Sequence, residues 1–281
     1  YVVFQAVENG EISLDKKVKI SRHAASEPPS KLGLRPGQKV RLRYLIRAAA
    51  VKSANDAATA LGEAIEGSEA AFARRMNRTA KAMGMNRTTF KNAHGLTESG
   101  HLSTARDMTI LGRHLFYDFP DYYHLFARKT ASAGSKKVRN TNRRFLSNYR
   151  GADGIKTGYT RAAGYNLVAS ANRNGERIIT TVFGGRSTTT RNAQVAKLMN
   201  LGFKKAPRNV KLQKPKPPSY IAIARAYPVI NLSKSLRPKI RPENNTDNNL
   251  IAVNEFKSDI LSALKLAQAE DNPPELSLIH I

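Results

Sequence analysis

Two short runs carry side chains that can move protons or hold an anion: Lys156-Thr157-Gly158 and Ser53-Ala54-Asn55. A lysine fixed beside a small-residue strand edge can bind a carboxylate, while the edge itself can pair with an extended peptide. Gly158 presents no side chain to hold such a peptide away. Ser53 offers a hydroxyl and Asn55 an amide at the junction of two helical segments, where both can point into a cleft; serine and asparagine also serve there as ordinary caps. Taken singly, neither run specifies a reaction.

Together and in this order they resemble the S-x-N and K-T-G motifs of the serine penicillin-binding and β-lactamase superfamily, whose first motif is S-x-x-K. The surrounding text extends the likeness. Leu45-Ile46 through Val51-Lys52-Ser53-Ala54-Asn55-Asp56-Ala57-Ala58, Phe90-Lys91-Asn92-Ala93-His94-Gly95-Leu96, Ser103-Thr104-Ala105-Arg106-Asp107, and Asp153-Gly154-Ile155-Lys156-Thr157-Gly158-Tyr159-Thr160 with Ala163 to Ala171 resemble the low-molecular-mass D-alanyl-D-alanine carboxypeptidases, peptidase family S11. The resemblance runs from residue 1 to about 203.

The resemblance implies an α+β fold of the β-lactamase/transpeptidase type, an antiparallel sheet flanked by helices. It implies removal of the terminal D-alanine from peptidoglycan pentapeptides through an acyl-enzyme. Ser53 and Lys156 would relay a proton to the leaving D-alanine and Asn55 would hold the substrate amide. Thr157 and Arg191 would bind the terminal carboxylate beside Gly158, and the Tyr159 backbone N–H would supply half of an oxyanion hole. Many relatives have histidine where Tyr159 stands, which touches selectivity more than catalysis. The implied partners are the peptidoglycan stem peptide and, as covalent inhibitors, β-lactam antibiotics. No cofactor, metal or nucleic acid is expected; the implied location is the periplasm or cell envelope, with membrane association left open.

The first motif is the departure. No Ser-x-x-Lys of this chain stands where the family has it, about two helical turns ahead of the position matching Tyr1. The expectation is therefore an N-terminally truncated chain without its nucleophile Ser and the partner Lys, inactive as written. Two competing readings stay open. A class A β-lactamase shares the motifs but usually carries Ser-Asp-Asn and a deacylating Glu before K-T-G, whereas Ala54 stands here and no Glu lies between Glu98 and Lys156. A non-catalytic, basic wall- or nucleic-acid-binding module would explain the charge alone.

Among the histidines, His94 reads as a packing or hydrogen-bonding residue near the cleft and His114 as helix surface or core edge. His101 with Asp107 faintly resembles zinc D,D-peptidases but lacks their downstream Glu-x-x-His, so a structural role is expected.

The elements that must position these residues follow from the pattern. Tyr1 to Val7 reads as the middle of a buried helix, and Val40 to Ala50 places apolar residues at helical spacing up to Ser53. Ser68 caps a helix from Glu69 to Met83, and Thr104 with Asp107 opens one from Ala105 to Tyr117 that Pro120 stops. Tyr165 to Ala171 and Arg177 to Phe183 flank Asn174-Gly175, a strong hairpin signal, with Gly154 to Thr160 as a third strand. A last helix near Thr190 to Asn200 closes at Gly202. Helices, then an antiparallel sheet, then a closing helix make an α+β layered domain.

The chain has 281 residues and a net charge of +26, most of it ahead of Lys204. Such a charge favours polyanionic partners, but no nucleic-acid-binding motif accompanies it. The absence of cysteine excludes disulfides and thiol chemistry without indicating a compartment. Residues 204–275 are Lys-, Pro- and Asn-rich and are expected to be mostly disordered, and residues 276–281 match a translated sequencing adapter.

Overall fold

The computed structural model describes residues 1–207 and 211–218; the expectations for the rest of the tail lie outside the described residues. Helix α1 (Val2–Glu8) leads to strand β1 (Lys17–Lys19), helix α2 (Arg22–Ser26) and strand β2 (Lys39–Arg41). Helix α3 (Leu42–Arg47) runs straight into a π-helical turn, Ala48–Lys52. Helices α4 (Asn55–Glu66), α5 (Glu69–Ala82), α6 (Ala105–Asp118) and α7 (Pro120–Tyr123) follow, then strands β3 (Thr130–Ala133) and β4 (Lys136–Arg139) and helix α8 (Arg143–Asn148). Strands β5 (Ala152–Thr160), β6 (Gly164–Arg173) and β7 (Glu176–Gly185) and helix α9 (Thr188–Lys205) complete the domain.

The main sheet is antiparallel in the order β5-β6-β7, so β5 is an edge strand among the described residues. Asn174 and Gly175 form the two-residue turn of the β6–β7 hairpin, both at positive φ (53° and 84°), the geometry a tight primed turn demands. Alternation along β6 divides the core. Leu167, Ala169 and Ala171 pack with Phe145, Val195 and Met199 under α8 and α9, while Val168 faces the opposite cluster with Ile155, Leu115 and Phe126. Leu167 is fully buried, which contributes about 1.5–3 kcal/mol relative to an exposed leucine. The sheet thus lies between helices on both faces, as the expected α+β architecture requires.

Local expectations fared unevenly. Ser68 caps α5 by accepting from Ala71 N, and Thr104 caps α6 by accepting from Asp107 N. Asp107 does not return the capping bond; its carboxylate accepts from Arg87 N and Thr88 Oγ1. The helix predicted from Val40 begins at Leu42, because Val40 pairs with Val18 in the small β1–β2 sheet, a long-range partner that periodicity does not reveal. Pro120 stands at the first position of α7 rather than merely ending α6, where its missing N–H costs nothing. Gly202 does not close the last helix, which continues to Lys205. A Cβ there would stand 3.0 Å from Ile178 Cγ2, so this glycine admits close packing of α9 on the sheet.

Candidate active site

The path from α3 into α4 shapes one wall of the site. The π turn ends at Ser53, which takes left-handed φ,ψ values of 61° and 43°, an uncommon conformation for a residue with a Cβ. α4 then starts at Asn55 with Ala54, not Asn55, at the cap position, so the Asn55 side chain is released from capping. Its amide donates to Pro28 O at 2.9 Å, and Asn55 N donates to Ser30 O at 2.7 Å. The loop carrying Pro28 and Ser30 is held from below by Asp56. That fully buried carboxylate accepts from Leu32 N, Gly33 N and Leu34 N at 2.8–3.0 Å.

The facing wall is β5. Lys156 Nζ donates to Ser53 Oγ and, at 2.9 Å, to Thr157 O. Burial drives the Lys156 pKa down to about 8, with the nearby Arg191 charge adding to the effect. Thr157 Oγ1 lies 2.7 Å from Thr141 Oγ1, and Thr141 N donates to Val51 O in the π turn. Asn140 and Asn142, both buried, brace that loop: Asn140 Nδ2 donates to Arg128 O, and Asn140 Oδ1 accepts from Asn142 N. Gly158 pairs with Asn166, where a Cβ would only touch the Asn166 side chain at 3.6 Å. Tyr159 is exposed, its ring 4.4 Å from that of Tyr165.

Arg191 sits in the first turn of α9 but is only 4 % exposed, so it is not a solvent-facing arginine at a helix start. Its Nη1 donates to Asn166 O at 3.1 Å, and its Nε and Nη2 donate to Asn192 Oδ1. It lines a cavity of about 170 Å³ shared with Thr141, Asn142, Arg143 and Thr188. A neighbouring groove is lined by Ser30, Lys52, Lys136, Lys137, Arg139 and Thr141. The face around Thr141 is therefore strongly cationic.

The structure brings Lys156 onto Ser53 beside Thr157, whereas the Asn55 amide is turned to Pro28 O and Arg191 reaches Asn166 O on the neighbouring strand β6. Sequence reasoning missed Asp56, Thr141 and the Asn140–Asn142 pair, whose roles depend on contacts across the chain. The Ser13 and Lys16 pair belongs to the turn that accepts from Leu42 N and Arg43 N at the start of α3. Eleven helical residues separate that turn from Ser53, on the order of 16 Å at about 1.5 Å per residue. His94 is a hydrogen-bonding residue, and His114 takes the core-edge half of its reading, buried against Asp118 at 2.9 Å. His101 accepts from Lys91 N, consistent with its expected structural role.

A family model described as D-alanyl-D-alanine carboxypeptidase, Peptidase_S11, matches residues 1–187. The D-alanyl-D-alanine carboxypeptidase DacF of Bacillus subtilis is 40 % identical over 207 residues, covering 72 % of this chain and 53 % of its own. DacC of Escherichia coli is 38 % identical over 210 residues, covering 73 % and 52 %. Among solved structures, the carboxypeptidase DacD from Francisella tularensis superposes with a TM-score of 0.69 at 33 % identity, over 73 % of this chain and 62 % of that one. Penicillin-binding protein D2 from Listeria monocytogenes, solved in a cefotaxime-bound form, gives 0.64 at 34 % identity, over 72 % and 82 %. The chain spans about half the length of the curated relatives it matches. It belongs to the D-alanyl-D-alanine carboxypeptidase family, peptidase S11.

Proposed function

We propose that this chain is the catalytic domain of a serine-type D-alanyl-D-alanine carboxypeptidase that trims peptidoglycan stem peptides in the bacterial cell envelope. The observation that carries the reading is the contact of Lys156 Nζ with Ser53 Oγ, made beside Thr157 on an edge strand. With a pKa near 8, Lys156 exchanges its proton readily close to neutral pH, as a relay through Ser53 to a departing amine requires. The acyl group passes to a serine of the family's Ser-x-x-Lys motif, and Ser53 and Lys156 deliver a proton to the D-alanine nitrogen as its bond to the carbonyl breaks. The peptide lies along β5 by strand addition, its amide held by Asn55 and its terminal carboxylate by Thr157 and Arg191. The Tyr159 N–H then stabilises the oxyanion.

The reading predicts a defined response to a β-lactam, which imitates the D-Ala-D-Ala amide. The chain Tyr1–Ile281 should take up no fluorescent penicillin covalently, because no Ser-x-x-Lys stands beside Ser53 and Lys156 among its described residues. The same chain preceded by a Ser-x-x-Lys segment should label, and the label should be lost in Lys156→Ala. Labelling of Tyr1–Ile281 itself would overturn the assignment of the nucleophile.

A further inference from the structure

Between α2, the N-terminus of α5 and the loop at Ala93, two carboxylates and two imidazoles converge. Glu27 is 6 % exposed, and its Oε1 accepts from Thr59 Oγ1 at 2.9 Å. Glu69 Oε1 accepts from Ala93 N at 2.9 Å. His94 lies across both acids, its Nε2 3.3 Å from Glu27 Oε2 and 3.5 Å from Glu69 Oε1. Leu96 N donates to His94 Nδ1 at 3.1 Å, so Nδ1 is unprotonated and the ring proton sits on Nε2. His94 thus turns Nε2 toward one oxygen of each carboxylate.

The remaining oxygens face His23. Its Nε2 is 2.9 Å from Glu69 Oε2 and 3.8 Å from Glu27 Oε1, while its side chain is 57 % exposed. The three ligand atoms lie within 4.8 Å of one another. Ligands about 2.0–2.2 Å from a tetrahedral zinc-class ion stand about 3.3–3.6 Å apart, a spacing that the two measured separations bracket. On the far oxygens, Ala93 N donates to Glu69 Oε1 and His94 Nε2 lies beside Glu27 Oε2, while Thr59 Oγ1 donates to Glu27 Oε1 itself; such outer contacts fix the orientation of metal-binding carboxylates. Two acids this close also call for positive charge, which a divalent ion between them would supply.

We propose that His23, Glu27 and Glu69 form a binding site for a single zinc-class divalent cation, with His94 orienting the two carboxylates and the exposed side of His23 giving access. The ion replaces the proton shared between His23 and Glu69 and leaves a fourth position open to water. Sequence reading expected no metal, and this site lies apart from Ser53 and Lys156. It nevertheless joins the cleft through one peptide unit: Glu27 precedes Pro28, whose carbonyl accepts from Asn55 Nδ2. An occupied site ties that strap to α5.

The test uses the full chain, stripped with a chelator, and Zn²⁺ or Co²⁺ as the only probe. Calorimetric titration should show one site of micromolar or tighter affinity, and Co²⁺ should develop the visible absorption of a low-symmetry site. His23→Ala, an exposed and foldable change, should abolish both signals, whereas His124→Ala on the exposed Arg128 pair should retain them. His94→Gln should weaken binding about 10–100-fold. Equal Zn²⁺ affinity in the parent and His23→Ala would overturn the site, as would no uptake by the parent at metal concentrations well above the micromolar range.

Discussion

Lys156 and Ser53 stand 103 residues apart in the chain, yet the lysine's Nζ donates to the serine's Oγ inside the domain. The cost of that burial is written in the lysine's pKa, lowered from 10.5 to about 8. Between those values the unfolded chain binds more protons than the folded one, so stability rises with pH across the window; below pH 8 the penalty is present in full. Its size is about 3 kcal/mol at 1.36 kcal/mol per unit, before water penetration reduces it. Lys156→Met should therefore be the more stable protein at pH 7. Urea unfolding at pH 6 to 9.5 should show that advantage shrinking as pH passes 8, and an advantage constant in pH would contradict the buried-ammonium account.

Asp56 receives three consecutive backbone N–H groups and is fully buried. Asp56→Ala strands those donors in the interior, at about 1–3 kcal/mol each if no water reaches them. A loss of at least about 3 kcal/mol in global stability is expected, with faster amide exchange at Leu32, Gly33 and Leu34. A change under about 1 kcal/mol would mean that the strap is held by something else.

Gly202 offers a contrast in sign. In an exposed helix interior, Gly→Ala gains up to about 1 kcal/mol. Here the added methyl would meet Ile178 at 3.0 Å, so Gly202→Ala should gain nothing and is expected to lower the thermal midpoint by a few degrees, at a cost on the order of 1 kcal/mol. Removing the offending Cγ2 as well, in Gly202→Ala with Ile178→Ala, should cost less than the sum of the two single changes.

These cases show where reading the sequence succeeded and where it stopped. The Asn174-Gly175 hairpin was legible because only a few residue types accept two successive positive φ values, and Ser68 and Thr104 were legible because a cap acts on amides three residues away. Val40 was misread as helical because its partner Val18 lies in another segment. Gly202 was misread as a stop because its reason, Ile178, lies on a strand. The two motifs singled out Ser53, Asn55, Lys156 and Thr157 as candidates, but nothing local to Asp56 or Thr141 announces a partner more than a dozen residues away. The His23–Glu27–Glu69 group was invisible for the same reason, since its members come from α2, the residue that caps it, and α5.

The proposed function gives Arg191 the task that would separate a carboxypeptidase from a peptidase indifferent to a free terminus. Its guanidinium is buried, it lowers the Lys156 pKa, and it borders the cavity beside Thr141, which contacts Thr157. In a chain carrying a Ser-x-x-Lys segment ahead of Tyr1, Arg191→Ala should lower kcat/KM for a free-carboxylate D-Ala-D-Ala peptide by about 2 kcal/mol, roughly 30-fold. Because Arg191 also donates to Asn166 O, the same change should cost some stability, and a structural role alone could then mimic the kinetic loss. A D-Ala-D-Ala peptide amide, which lacks the carboxylate, resolves the two. The parent should favour the acid over the amide, and Arg191→Ala should erase most of that preference while turning over the amide at nearly the parent's rate. Removing the guanidinium also removes a charge that depresses Lys156, so the alkaline shift of the mutant's pH–rate profile provides a second readout of the same contact. An acid-to-amide preference equal in mutant and parent would move carboxylate recognition to Thr157 and Lys156.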